Sequence, residues 1–193
     1  NVTLSGLINV TDNKKSNGSD SNFYMDNAYV VTIAGDGLQT GSSIGIAKYM
    51  SAVPANVTTA NSKDYSGYFT SDDSLYLIKN TGTLSNQIVK LVSATAPYKV
   101  EHYIQDVTGS GYTLYETETK SGSTDGTVSA TALILTGFSE NTSYASRVAS
   151  GTVQYDGSTV LKLYYDRDTF TVTFKDHDDD VLDTQIVRYE GDA

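Results

Sequence analysis

The sequence predicts a mainly β protein, and three of its properties support that prediction. Tyrosine is frequent, at 15 residues, and proline occurs only twice. Tyrosine and the many threonines favour the half-buried, pleated surface of a sheet. No segment keeps an apolar stripe at helical spacing, and short strand-like runs are separated by glycine and asparagine. We therefore expect an all-β chain of short strands joined by tight turns.

Composition also limits the classes of function. The formal net charge is −10, and the lysines and arginines are scattered singly. Nucleic-acid binding is therefore disfavoured, because contacts to a phosphate backbone need clustered cations. The same charge disfavours an anionic membrane surface, and no apolar run is long enough to cross a bilayer. The chain has no cysteine, which excludes disulfides and thiolate metal sites.

Residues 1–96 contain short strand-like runs at close intervals. The runs are broken by Gly6, by a polar loop at 11–20 and by a predicted turn from Gly35 to Gly37. This spacing is typical of the small rungs of a solenoid, whose last apolar rung needs a terminal element to cover it. Later strand-like runs at 74–78 and 87–92 fit that role. We predict the end of a β-solenoid, or a β-sandwich-like cap.

A family resemblance supports this interpretation of the first region. The segments FYM (23–25), VTI (31–33) and LQTGSSIGI (38–46), followed by YFTSDD (68–73), are its basis. Together they resemble the C-terminal end of β-helical regions in large surface proteins of gut Firmicutes. The resemblance covers most of residues 1–92 and implies a structural cap.

A second region follows a short linker. Residues 93–97 are small, polar and end in proline, as is typical of a domain boundary. Beyond them we predict strands at 99–104, 112–119, 128–135, 149–155 and 160–166. Asp156-Gly157 lies between two of these runs and signals a hairpin turn. We expect one module over residues 97–167.

This module resembles the mucin-binding-protein type repeat, a β-grasp-like unit. The resemblance is carried by YKVEHY (98–103), GYTL (111–114), ETET (116–119), Gly137-Phe138 and GSTVLKLYYD (157–166). It implies an exported module that carries no cofactor and occurs in adhesins.

Residues 168–193 predict a β-hairpin that begins a second, partial repeat. The segments TFTVTFKD (169–176) and VLDTQIVRYEG (181–191) resemble the opening hairpin of an internalin-type B-repeat, also called the Listeria–Bacteroides repeat. Residues 177–180 (HDDD) replace the family's usual Asp-Gly turn. The rest of such a repeat, including its Gly-Trp motif, is missing.

Three groups of polar residues are candidate sites. The acidic turn from Asp176 to Asp180 offers oxygen ligands for Ca²⁺, but it lacks the glycine and the later glutamate of an EF-hand, so a solvated turn is favoured. His102 alternates with apolar neighbours, which favours a half-buried structural role. Glu116 and Glu118 share one face of a strand, where a charged edge that opposes aggregation is favoured over glycoside hydrolysis.

Strand alternation also predicts a tyrosine-rich face. Val100, His102, Ile104, Leu114, Leu161, Leu163 and Tyr165 are expected to point inward. The outward residues then form a candidate ligand-binding face of Tyr103, Tyr115, Lys162 and Tyr164. Exposed tyrosines suit recognition because they offer a large contact area at low entropic cost. Packing against a neighbouring module is the competing interpretation.

Together these observations predict a non-enzymatic module of a bacterial cell-surface adhesin that binds host mucin or another glycoprotein. One alternative is a superantigen-like module that binds host immunoglobulin, and another is a passive structural stalk. We expect no cofactor. We expect a monomeric, extracellular fragment of a longer chain that is attached to the cell wall through parts outside these residues.

Overall fold

The computed structural model describes residues 2–26, 29–48 and 52–192, with the side chain of Lys48 excepted. The all-β prediction is confirmed, because the described residues form strands and a single 3-10 turn at Ser66–Tyr68 but no α-helix. No helix among them is long and apolar enough to cross a membrane. The chain divides into two compact units, Asn1–Thr95 and Ala96–Ala193.

Parallel pairing dominates the first unit. Its strands are β1 (Val2–Gly6), β2 (Asn9–Val10), β3 (Phe23–Met25), β4 (Val31–Leu38), β5 (Ser43–Lys48), β6 (Ala55–Asn56), β7 (Phe69–Ser71), β8 (Tyr76–Asn80) and β9 (Val89–Ser93). Strand β1 runs parallel to β4, and β5 runs parallel to β2, β3 and β7. Val31 pairs with Val2 on one side and with Thr58 on the other. Three segments of chain therefore stack in parallel layers.

The last parallel layer of the first unit meets an antiparallel sheet of order β6-β9-β8. Val57 N–H donates to the Val89 carbonyl at 2.7 Å, and Val89 N–H donates to Thr58 Oγ1 at 3.1 Å. The buried core of this unit comprises Met25, Val31, Leu38, Ile44, Ile46, Val57, Tyr65, Phe69, Val89 and Leu91. Apolar side chains from parallel and antiparallel strands thus share one core.

The predicted turn at Gly35–Gly37 lies instead inside β4. Both glycines have positive φ, at 59° and 79°, so the strand bends without ending. A Cβ on Gly37 would also overlap the Tyr65 ring. The glycines therefore permit an irregular strand that packs closely on an aromatic side chain. The local sequence does not distinguish such a strand from a turn.

A four-stranded sheet forms the centre of the second unit. The strands of the unit are β10 (Thr95–Gln105), β11 (Tyr112–Ser123), β12 (Thr127–Ser129), β13 (Phe138–Glu140), β14 (Ser150–Thr152), β15 (Val160–Arg167), β16 (Thr169–Lys175) and β17 (Val181–Arg188). The sheet order is β11-β10-β15-β13, and β10 and β15 are parallel. Its buried apolar residues include Tyr98, Val100, Val153 and Leu161.

Two local predictions in this unit are wrong, and a third is correct in part. Pro97 lies within β10 and not in a linker. Of the predicted strand at 128–135, only residues 128 and 129 belong to a strand, β12, which pairs with β14. Asp156 and Gly157 form the predicted turn. The chain on its two sides meets in an antiparallel bridge between Val148 and Lys162, although β14 itself pairs with β12.

The predicted C-terminal hairpin is present as β16 and β17, which pair from Thr169–Arg188 to Lys175–Val181. Buried Arg167 holds its base within the second unit. The Arg167 guanidinium donates to the Gln105 carbonyl at 2.7 Å, to the Tyr189 carbonyl at 3.0 Å and to Glu190 Oε2 at 2.7 Å. The hairpin is thus anchored at its base, whereas most of its residues are exposed.

Candidate functional site

Four tyrosines pack together on one side of the four-stranded sheet. Tyr103 and Tyr164 are cross-strand neighbours on β10 and β15, and their rings stack at 4.9 Å with an interplanar angle of 15°. The Tyr164 ring also contacts Tyr112 at 5.1 Å and Tyr144 at 4.4 Å. Rings at such distances stabilise one another beyond their buried area. We refer to Tyr103, Tyr112, Tyr144 and Tyr164 as the tyrosine cluster.

A pair of charged side chains borders this cluster. Glu101 and Lys162 are also cross-strand neighbours, and Lys162 Nζ lies 3.5 Å from Glu101 Oε2 and 5.7 Å from the centroid of the Tyr103 ring. Tyr103 donates its hydroxyl hydrogen to Glu101 at 2.6 Å. That bond, together with burial, raises the pKa of Tyr103. We call Glu101 and Lys162 the charged rim, and both are only partly exposed.

Hydrogen bonds fix the inner part of the cluster. The Tyr112 hydroxyl donates to Asp166 and accepts from Asn141 Nδ2 at 3.3 Å. Asn141 Nδ2 also donates to Asp166 Oδ2 at 2.9 Å. Burial, followed by the bond to Asp166, raises the pKa of Tyr112 to about 12. The tyrosine rings are therefore held in place before any ligand arrives.

The structure brings together three of the four residues of the predicted face. Tyr103, Lys162 and Tyr164 are in contact, but Tyr164 is not outward as predicted, since only 7% of it is exposed. Tyr112 and Tyr144 cover its ring. Tyr115 is 53% exposed, and among the described residues it takes part in none of the cluster's ring contacts.

The alternation predicted for β11 is also wrong at Leu114, which is 47% exposed instead of inward. Residues 113–117 are all exposed, and partly buried positions recur only from Glu118 onward. Both faces of the first half of β11 are open to solvent, so alternation there does not separate inward from outward positions. Alternation identifies a strand but does not reveal whether both of its faces are covered.

Sequence reasoning missed Tyr112, Tyr144, Asn141 and Asp166 as parts of the site. Tyr144 and Asn141 lie in a segment without regular strand structure, where no periodicity indicates a direction. Asp166 lies at the end of a predicted strand, but its partner Tyr112 is 54 residues away in sequence. No local signal in the sequence connects these residues.

His102 is completely buried and belongs to a separate polar network. Its Nδ1 lies 2.8 Å from the Tyr165 hydroxyl, and its Nε2 lies 3.3 Å from Glu118 Oε2. Leu133 N–H donates to the same Tyr165 hydroxyl at 2.8 Å. A neutral imidazole with its hydrogen on Nε2 satisfies every partner, because Tyr165 then donates to Nδ1 while Nε2–H donates to the carboxylate. This network holds the irregular segment around Leu133 against the sheet.

Carboxylates of two other candidate sites have structural partners. Glu118 pairs with Lys120 at 2.9 Å as well as with His102. In the acidic turn, Asp176 Oδ1 accepts the N–H groups of Asp178 and Asp180, each at 3.0 Å. That carboxylate therefore closes the turn. Oxygen and nitrogen atoms of Asp176, His177 and Asp178 do lie within 4.8 Å of one another, but exposed acidic groups commonly lie this close without an ion.

The first unit contains a polar cavity of about 370 Å³. Its most deeply placed carboxylate, Asp72, accepts the Asn22 N–H at 2.8 Å and the Asn22 side-chain amide at 2.7 Å. Gly45 lies against both side chains, which leave no room for a Cβ. These hydrogen bonds join the chain before β3 to the chain after β7, and Asp72 also lines the cavity.

Comparison with known proteins gives no further guidance. No protein-family model matches the chain, no curated protein is significantly similar to it, and no solved structure matches its fold. The function is therefore inferred from the tyrosine cluster and its charged rim.

Proposed function

We propose that this chain is a non-enzymatic module of a bacterial cell-surface adhesin, and that it binds host mucin or another host glycoprotein through the tyrosine cluster and its charged rim. Partly exposed Tyr103, stacked on the buried ring of Tyr164, is the observation on which the proposal rests. The Tyr103 ring offers an aromatic surface on a rigid sheet, beside one carboxylate and one ammonium group.

Glycan recognition needs this combination of groups. A sugar ring has an apolar face that packs on an aromatic ring, and hydroxyls that need fixed donors and acceptors. Tyr103 supplies the ring, while Glu101 and Lys162 supply an acceptor and a donor at its border. Their mutual contacts reduce the entropy lost on binding, because few side chains have to be immobilised.

The architecture supports a place on a cell surface. In the first unit, the parallel layers around Val31 and the antiparallel sheet β6-β9-β8 support the interpretation of a solenoid end with a cap. In the second unit, one central sheet spans the region assigned to a mucin-binding-type repeat. A passive stalk would use the same architecture, so binding has to be tested directly.

A specific observation favours immunoglobulin binding as the second candidate. Strand β11 contains 12 residues and lies at the edge of its sheet, next to β10. An exposed edge of this length accepts an extended segment of another protein through main-chain hydrogen bonds. Capture of immunoglobulin would use this edge and would not depend on Tyr103 or Lys162.

Affinity capture from host mucous secretions, followed by mass spectrometry, separates these proposals. The adhesin proposal predicts that glycoproteins are retained, that free sugars elute them, and that Lys162→Ala reduces their recovery. Retention of immunoglobulin that sugars do not elute would support the edge of β11 instead. If micromolar protein retains nothing specific, both binding proposals are wrong and the stalk interpretation stands.

A further inference from the structure

The polar cavity of the first unit has the size and the lining of a ligand site. Its volume of about 370 Å³ falls within the roughly 300–1,000 Å³ of small-molecule pockets. Lys15 and Asp20 line it from the loop between β2 and β3, and Tyr24 lines it from β3. Asp72 and Asp73 line it from the chain after β7. The cavity therefore offers hydrogen-bond acceptors, a donor and an aromatic ring.

The loop between β2 and β3 is an insertion within one layer of the first unit. Ile44 of β5 pairs with Val10 of β2 and, at its other edge, with Phe69 of β7. Ile46 likewise pairs with β3 and with β7, so β2 and β3 share one edge of β5. Residues 11–20 of the loop are all exposed and add nothing to the apolar core. Loops of this kind on a rigid scaffold are where binding residues concentrate.

The inserted loop is nevertheless held by its own contacts. Lys15 N–H donates to the Ser19 carbonyl at 2.8 Å. Lys14 and Asp20 are joined by an ion pair between their side chains and by an antiparallel bridge between their main chains. Because the loop is closed before a ligand arrives, less entropy is lost when a ligand binds to it.

Gly45 allows the groups on the two edges of β5 to be joined across the strand. Asn22 precedes β3 and Asp72 follows β7. The Asn22 N–H donates to one oxygen of Asp72 at 2.8 Å, and its side-chain amide donates to the other oxygen at 2.7 Å. A Cβ on Gly45 would overlap both of these side chains. A carboxylate has about four acceptor positions, so Asp72 is fixed in place and can still accept hydrogen bonds from a ligand.

We propose that this cavity binds one ring of a neutral sugar. Sugar hydroxyls donate and accept hydrogen bonds, which matches the carboxylates of Asp72 and Asp73 beside the Lys15 ammonium. Tyr24 is 59% exposed, and its ring can pack on the apolar face of a sugar. Lys14 and Lys15 offset two of the three carboxylates of the lining, so its charge favours neither an anionic nor a strongly cationic ligand.

A metal ion does not fit this lining. Within the described residues, three metal-ligand atoms lie within 4.8 Å of one another only in the acidic turn, at Asp176, His177 and Asp178. The carboxylates of the cavity are not gathered this closely, whereas Ca²⁺ needs six to eight oxygens at about 2.3–2.6 Å. The site also belongs to the first unit and does not use the tyrosine cluster, so it extends the binding capacity of the chain beyond the proposed function.

Nuclear magnetic resonance of the ¹⁵N-labelled full chain tests the proposal. The probes are the methyl glycosides of galactose, glucose, mannose and N-acetylglucosamine, with galacturonate as the anionic counterpart of galactose. We expect at least one neutral glycoside to shift the amide signals of residues 15–20 and 72–74, and galacturonate to shift them less. The proposal is overturned if no neutral glycoside shifts these signals, or if galacturonate shifts them more.

Two exposed tyrosines of the first unit form a matched pair of variants. Tyr24→Ala should weaken binding of the neutral glycoside about tenfold or more, because it removes the aromatic surface. Tyr29 is exposed to a similar extent, at 54%, but lines another cavity, so Tyr29→Ala should leave the affinity unchanged. An equal loss in both variants, or no loss in either, would contradict the assigned site.

The same spectra identify the source of the sugar. Oligosaccharides released from mucin and fragments of purified bacterial wall polysaccharide are added separately to the chain. Shifts at residues 15–20 that only the mucin sugars cause assign the site to host glycans, and shifts that only the wall fragments cause assign it to the bacterial surface. Because Tyr103 belongs to the other unit, its signals report on the tyrosine cluster separately, and either proposal can fail without the other.

Discussion

At the scale of single residues, Tyr164 and Tyr115 occupy similar positions in the strand pattern but different environments. Tyr164 is buried by three other tyrosine rings, whereas Tyr115 lies on an uncovered edge strand. Alternation correctly predicted the buried positions of Val100, His102, Leu161, Leu163 and Tyr165. It failed where a covering side chain comes from a distant segment, as with Tyr144 over Tyr164.

Truncation of these two tyrosines should therefore have unequal effects on stability. Tyr164→Ala removes a buried aromatic side chain, and we expect it to lower the free energy of unfolding by about 3–5 kcal/mol. Tyr115→Ala should change it by no more than about 0.5 kcal/mol. Urea denaturation of both variants measures the difference. Similar, small losses for both would show that Tyr164 is not packed as described.

Glu118 should make stability depend on acid pH. Its hydrogen bonds with Lys120 and then with His102 lower the pKa of Glu118 below its ordinary value. The folded state therefore favours the ionised form of Glu118. The stability that this form contributes is fully present above the unfolded pKa of about 4.3 and is lost as pH falls through the lower, folded pKa. Urea denaturation at a series of pH values should show this loss.

Glu118→Gln should reduce this acid-dependent loss, because glutamine does not titrate. Glu116→Gln is the control, since Glu116 is an exposed residue of the same strand, and this variant should keep the loss. If both variants keep it in full, the contacts of Glu118 do not contribute to the pH dependence.

At the scale of elements, the hairpin was predictable but its anchor was not. Alternation in residues 169–175 indicates a strand, yet the docking of the hairpin depends on Arg167, Gly137 and Phe138. Tyr189 lies against Gly137 and meets the Phe138 ring edge-on at 5.7 Å. Strand pairing in the rest of the module could not be predicted from the sequence either. Strands β10 and β15 are distant in sequence and pair in parallel, and no turn signal indicates such a pairing.

Gly137→Ala should loosen the hairpin from the module. Gly137 has a φ of 76°, and a Cβ there would overlap the Tyr189 ring. Gly18→Ala is a matched control, because Gly18 has a φ of 83° with open space where a Cβ would lie and belongs to the first unit. Both substitutions strain the backbone. We expect Gly137→Ala to lower the free energy of unfolding by roughly 1–3 kcal/mol more than the control substitution does. Limited proteolysis of the hairpin measures this, and equal susceptibility of the two variants would contradict the described anchor.

At the scale of the whole molecule, two compact units share one chain. The composition and the spacing of strand-like runs were enough to predict an all-β protein. They were not enough to predict which segments pair in parallel, since the partners Val2, Val31 and Thr58 are far apart in sequence.

Separate cores should give separate responses to mutation. Gly45→Ala introduces a Cβ against Asn22 and Asp72 in the first unit, whereas Tyr164→Ala affects the core of the second unit. We expect calorimetry to show that each variant shifts a different part of the unfolding profile, because units with their own cores unfold separately by default. A single transition that both variants lower equally would show that the two units unfold as one.

We propose that the tyrosine cluster and its charged rim bind host glycoprotein. The most direct test is the affinity of immobilised mucin for the folded chain and for its Tyr103→Ala and Tyr115→Ala variants. We expect Tyr103→Ala to weaken binding at least about tenfold, a loss of about 1.4 kcal/mol, whereas Tyr115→Ala should leave the affinity unchanged. Equal binding by all three proteins, or loss only with Tyr115→Ala, would contradict it.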